Sequence, residues 1–263
     1  MTTVGRIEEL WRYPVKSMAG EQITEAFLGF SGVFGDRCAA FKSSAARKGA
    51  PYLTASRQQE MLMYVPRFRH PARAALPPNL IDSMSIEPGI THANAEGDDL
   101  AIDVRIPSGR VIPLNDPALV EMLGRGIGEE NRLTLVRSDR ALTDCRPVSL
   151  ISIQTARQVQ AEAEVRDDRR RFRANIYADL ASTDGFSEDG WVGRRLRIGS
   201  RTELAVLERD PRCKMMSLDP ETGRHHPEVL REVARAHQAC AGVYCAVIIE
   251  GIVRQGDPLT LLD

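Results

Sequence analysis

The residue of this chain best placed to do chemistry is Cys213, set in Asp210-Pro211-Arg212-Cys213-Lys214 with Arg209 just upstream. Positive charge next to a thiol favours the thiolate, the form that attacks electrophiles and ligates soft metals. The plain alternative is a small residue that simply packs, the usual fate of a lone cysteine. Downstream follows Asp219-Pro220-Glu221-Thr222-Gly223.

Other words in the chain suit an anion. Tyr13-Pro14-Val15-Lys16-Ser17 places a cation and a hydroxyl just after a strand that proline terminates. Gly35-Asp36-Arg37 makes a turn from which Arg37 projects into the next strand, toward a ligand or toward Asp36. Thr143-Asp144-Cys145-Arg146-Pro147 feeds an apolar strand and then a helix start, where backbone N–H groups could hold an anion or meet an ordinary cap. In Arg169-Arg170-Arg171-Phe172-Arg173-Ala174-Asn175, strand alternation beginning near Arg171 predicts Arg171, Arg173 and Asn175 on one face. That face would clasp an anion or pair with Asp167 and Asp168. His225-His226 lacks a third ligand at helical spacing and reads as surface, and Trp191 reads as a packing anchor.

The elements that must position these residues are mostly short. Apolar runs at Ile7–Val15, Ile23–Leu28, Cys38–Phe41, Leu100–Ile106, Val111–Leu114, Leu133–Val136, Val148–Ser152, Phe172–Tyr177, Leu204–Leu207, Val243–Ile249 and Pro258–Leu262 predict strands. Helical spacing appears over Pro117–Leu123, Ile153–Val165 and Pro227–Gln238. Many strands with few helices predict an α+β fold, mainly β, with a barrel core and peripheral helices. The Pro- and Gly-rich stretch His70–Asp99 reads as a long loop. A soft boundary near Asn115-Asp116 divides residues 1–115 from 116–263, although strands exchanged between halves would blur it.

Composition narrows the classes. The 263 residues are 43% hydrophobic, enough for a sizeable core, and the net charge of -1 gives no overall pull toward nucleic acid or anionic membranes. An anionic ligand must therefore be met by a local basic patch. The start Met1-Thr2-Thr3-Val4-Gly5-Arg6 does not resemble a leader and no run is long enough to span a membrane, so the cytoplasm is the expected location. Five scattered cysteines (Cys38, Cys145, Cys213, Cys240, Cys245) include no Cys-x-x-Cys pair, which argues against a disulfide framework or a zinc or iron–sulfur site. Neither a Gly-rich phosphate loop nor a serine nucleophile elbow is present.

Taken in order, these segments resemble the MOSC family, named for the C-terminal domain of molybdenum cofactor sulfurases and including the mitochondrial amidoxime reducing components. Nearly the whole chain takes part. Tyr13 to Ser17, Gly35-Asp36-Arg37 and Leu53-Thr54-Ala55-Ser56-Arg57-Gln58 resemble the family's N-terminal β-barrel-like part. Asp144 to Ser152, Arg171 to Asn175, Glu188-Asp189-Gly190-Trp191, Arg212-Cys213, Asp219 to Gly223 and Gly256-Asp257-Pro258 resemble the MOSC domain itself.

The resemblance implies a molybdenum cofactor, molybdopterin carrying molybdenum, with Cys213 as metal ligand and catalytic residue. It implies that Lys16, Ser17, Arg37, Asp144, Arg173 and Asn175 bind the cofactor's phosphate and pterin. Pyridoxal phosphate binding is a further property attached to the family. The implied activity is reduction of an N-hydroxylated small molecule, an amidoxime or hydroxylamine; the alternative is a cofactor carrier or sulfur-transfer module without turnover. With no cysteine cluster to hold an iron–sulfur centre, electrons would come from a separate ferredoxin or flavoprotein. Lys214, Met215 and Met216 stand where the family often has Thr or Ser, and Cys145 and Arg146 where it has small hydroxyl residues.

Overall fold

The computed structural model describes residues 1–46, 49–81, 98–128 and 131–262. The first half runs β1 (Thr2–Arg12), β2 (Glu21–Ile23), β3 (Glu25–Gly29), β4 (Gly32–Val33), β5 (Ala39–Ser43), β6 (Val65–Phe68), β7 (Ile102–Arg105), β8 (Val111–Pro113), α1 (Pro117–Gly124) and β9 (Leu133–Arg137). The second runs β10 (Val148–Ser152), α2 (Ile153–Glu162), β11 (Ile176–Leu180), β12 (Arg195–Ile198), β13 (Thr202–Pro211), α3 (Pro227–His237), β14 (Cys240–Ile249), β15 (Gly251–Arg254) and β16 (Pro258–Leu262).

Seven strands close on themselves in the order β11-β10-β14-β13-β12-β16-β1, with β1 pairing back to β11 and β2 appended to β1. The barrel is antiparallel except where β10 runs parallel to β11, a pairing that needs a crossover and receives α2. Alternation fills the interior: Val243, Cys245 and Val247 of β14 meet Ile7, Leu150, Leu204 and Leu259 there. Outside the barrel, α2 and α3 cover Ile151 and Tyr177 with Ala156, Val159, Val229 and Val233. Strand β10 is buried along its whole length, with Val148, Leu150 and Ile151 packed and the buried Ser149 and Ser152 hydrogen-bonded to Asn175 and Glu188.

A second core gathers Phe41, Leu53, Met61, Phe68, Val104 and Leu119 between small sheets of the first half. The halves are interleaved. β1 from the beginning of the chain completes the barrel, and β15 from its end pairs with β3.

Most expected strands are present, with β2 and β3 dividing Ile23–Leu28 and β13 running on from Leu207 to Pro211. One expectation is corrected. Arg169–Phe172 is a single 3-10 turn, not the start of a strand, and β11 begins only at Ile176. Asp168 caps this turn by accepting from the Arg170 N–H, and Arg173 closes it in the left-handed region at φ 54°. Local capping overrides alternation there. The loop expected over His70–Asp99 lies in part outside the described residues; Pro71–Ala75 at its start is a run of turns.

Candidate functional site

Lys16 and Ser17 follow the point where β1 gives way at Pro14. The Lys16 N–H donates to the Ala39 carbonyl at 2.8 Å, tying this turn to β5, and Ser17 takes a φ of 68°. Asp36 organises the neighbouring turn: its carboxylate accepts from the Tyr13 N–H at 2.8 Å and pairs with the Arg37 guanidinium. Arg37 has a φ of 44° and projects from this turn, before β5 starts at Ala39. Left-handed backbone is costly for residues with a Cβ and concentrates at functional sites. Of the seven non-glycine residues with positive φ among the described residues, Ser17, Arg37 and Arg173 line one cleft.

That cleft, about 220 Å³, is lined by Lys16, Ser17, Arg37, Asp144, Arg173, Asn175 and Cys213, every residue singled out from the sequence. Arg146, Arg171 and Arg212 bring its cations to six, against the carboxylates of Asp144 and Asp210. Most of this charge is already partnered. Lys16 Nζ sits 2.7 Å from Asp144 Oδ1 and donates to the Leu142 carbonyl at 2.7 Å, holding the 138–147 loop against the cleft. Burial lowers its pKa, opposed by Asp144. Arg146 pairs with Glu208 at 2.7 Å and Arg212 with Asp210 at 3.0 Å. Arg171 donates to Gln160 Oε1 and the Met216 carbonyl.

Arg173 differs. No carboxylate pairs with it among the described residues, and its buried Nη2 has no hydrogen-bond partner. It lies over the Tyr13 ring at 4.3 Å, with Arg37 over the same ring at 4.7 Å, so the electron-rich ring is its chief compensation. Burial pushes its pKa down to about 10, with Tyr13 opposing and Arg37 adding to the drop. It remains cationic at neutral pH and is the guanidinium most improved by an incoming anion.

Asn175 lines the cleft but its amide is engaged. Oδ1 accepts from the Ser149 N–H at 3.2 Å and Nδ2 donates to the Trp11 carbonyl at 3.3 Å. It clamps β1 to β10 ahead of β11 and thereby aims Arg173.

Cys213 is exposed, in extended backbone at φ -123°, opening the 3-10 turn Lys214–Ser217. Its cationic neighbours mostly turn elsewhere: Arg209 reaches Asp189 at 2.8 Å and Lys214 the Ser56 carbonyl at 3.0 Å. Arg212 donates to the Ala241 and Phe172 carbonyls, so it anchors the segment that presents the thiol. Tyr244, which also lines the cleft and hydrogen-bonds Asp210, was missed from the sequence. The alternation of Val243, Tyr244 and Cys245 along β14 was the available signal. At the α2 start the cap reading holds: Ser152 Oγ accepts from Thr155 N–H at 3.0 Å, and the Ser152 N–H is taken by the buried Glu188 at 2.9 Å.

Residues 137–260 match the MOSC domain. Curated relatives similar along 97% of this chain and 83% of their own length are mitochondrial amidoxime reducing component 2 of Bos taurus, 25% identical, and of Macaca fascicularis, 22% identical. Among solved structures, the YuaD protein of Bacillus subtilis aligns over 98% of this chain and 95% of its own at 11% identity, with a TM-score of 0.48. The cleft draws on more than the MOSC domain, because Lys16, Ser17 and Arg37 come from outside residues 137–260. No helix among the described residues is long and apolar enough to cross a membrane.

Proposed function

We propose that the cleft binds a molybdenum cofactor and that the protein is an oxidoreductase removing oxygen from N-hydroxylated small molecules such as amidoximes and hydroxylamines. The observation that carries this reading is the pairing, in one cleft, of an exposed thiol at Cys213 with an unpartnered guanidinium Nη2 at Arg173. A soft metal centre suits the thiolate and a phosphate suits the guanidinium, and the cofactor carries both. The similarity to amidoxime reducing components supports the same reading.

In this reading Cys213 holds the metal, and Arg173, Arg37 and Lys16 hold the phosphate and pterin oxygens, with Ser17 adding a hydroxyl. Asp144 keeps Lys16 in place, and Asn175 positions Arg173 through the barrel clamp. When bound, the cofactor supplies the two-electron chemistry of oxygen removal. The exposure of Cys213 leaves the metal end open to substrate and to a separate ferredoxin or flavoprotein electron donor.

The test is the molybdenum-to-protein ratio of the full chain made in a host competent for cofactor synthesis, compared with Cys213→Ser. Near-stoichiometric molybdenum and benzamidoxime reduction are expected for the wild type, with turnover lost in the variant. Wild type free of molybdenum, or turnover unchanged in Cys213→Ser, would overturn the assignment. Bound molybdenum without turnover under several donors would favour a cofactor carrier, and a Cys213 persulfide without metal a sulfur-transfer module.

A further inference from the structure

A second chamber, about 490 Å³, lies behind the cleft and does not include Cys213. One wall is the outward face of the β6–β7 pair. Pro66 and Phe68 of β6 are buried, so the pleat turns Val65 and Arg67 outward, and Arg105 of β7 stands opposite Val65. Asp103, opposite Arg67, is held by Arg69 in a two-pronged contact at 2.6 and 3.0 Å and neutralises neither Arg67 nor Arg105. Among the described residues, Arg67 donates only to the Pro66 and Gly20 carbonyls and Arg105 has no ion-pair partner. Glu21, the carboxylate lining this chamber, is bound by Arg12 at 2.7 Å.

The rest of the lining brings two aromatic rings and several apolar side chains into the same chamber. Trp11, partly exposed, stacks on Tyr13 with ring centroids 6.4 Å apart and planes 20° from parallel, and Leu62 and Leu218 continue the surface. Arg171, Arg173 and Met215 line both the chamber and the cleft, so the two share a wall. Aromatic rings in one chamber with guanidinium groups that no carboxylate pairs are a recognition pattern for a planar anion, and the volume is that of a small-ligand pocket.

We propose that this chamber binds a small aromatic carboxylate, its ring on Trp11 and its carboxylate toward Arg67 and Arg105. The proposal does not depend on molybdenum in the neighbouring cleft, and its test leaves that question to the metal analysis.

The probe is 2-naphthoate, titrated into the purified full chain while tryptophan fluorescence is read. Of the two tryptophans, Trp191 is buried in the barrel core, so quenching reports on Trp11. Saturable quenching is expected, with the neutral analogue 2-naphthamide binding at least about tenfold more weakly. Arg67→Gln with Arg105→Gln, both at exposed positions, should weaken naphthoate at least about tenfold, whereas Lys16→Gln, which lines only the cleft, should leave it within about twofold. Absence of saturable quenching, equal affinity for the amide, or loss of binding on Lys16→Gln without loss on the double arginine variant would each overturn the proposal.

Discussion

Arg173 combines a left-handed backbone, burial and a like-charged neighbour, and each opposes the charged form or the conformation. For a base whose folded pKa lies below its ordinary value, the charged form costs stability at neutral pH, and that cost fades as pH rises through about 10 toward the ordinary arginine range. Arg173→Met keeps the volume and removes the charge. It should raise the stability of the ligand-free protein by about 1 kcal/mol, read as a higher midpoint in urea unfolding at pH 7. The same variant should weaken inorganic phosphate in the cleft by at least about tenfold. In the wild type, phosphate binding should persist to about pH 9 and fall above about pH 10, because the cationic form that attracts it is lost there. Binding that is flat through pH 11, or a destabilised Arg173→Met, would show that Arg173 is not the group poised for an anion. Cys213 and the cations could be named from residue type alone. That Arg209 and Lys214 turn away from the thiol could not, since their partners Asp189 and Ser56 lie in turns far along the chain.

At the scale of elements, the site depends on how three turns are pinned to the barrel wall. The Ser149–Asn175–Trp11 clamp joins β1 to β10 at the point where the Arg169–Phe172 turn delivers Arg173. Asn175→Ala would leave the Ser149 N–H and the Trp11 carbonyl without their side-chain partner. A loss of about 2–3 kcal/mol is expected in urea unfolding, together with weaker phosphate binding although the guanidinium itself is untouched. Asn175→Asp should recover only the Ser149 half of the clamp, since a carboxylate accepts but cannot donate to Trp11. Stability unchanged in Asn175→Ala would remove the clamp from the account. The periodicities of β10, β14, β16 and the three helices were legible because each buries a continuous face. The Arg171–Asn175 segment was not, because its conformation is set by the Asp168 cap and by hydrogen bonds to Ser149 and Trp11, and its alternating polarity imitates a strand.

Across the whole molecule, the net charge of -1 coexists with a cleft where cations outnumber carboxylates, because most of those cations are offset by acids at its rim or just behind it. Closure of the barrel requires β1 between β16 and β11, so the first twelve residues belong structurally to the second half of the chain. A chain beginning at Tyr13 should expose the edges of β11 and β16, lose cooperative thermal unfolding and aggregate; a sharp transition near the wild-type midpoint would refute this. By itself the sequence determined the barrel-rich class, the helices, the thiol and the set of cations, because those follow from residue chemistry and from short-range periodicity. Only the tertiary structure decided which cations remain for a ligand, that β1 and β15 cross between the halves, and that a second chamber adjoins the first. Each of these depends on contacts between residues distant in the chain, such as Lys16 with Asp144 or Trp11 with Asn175, and no local pattern encodes them.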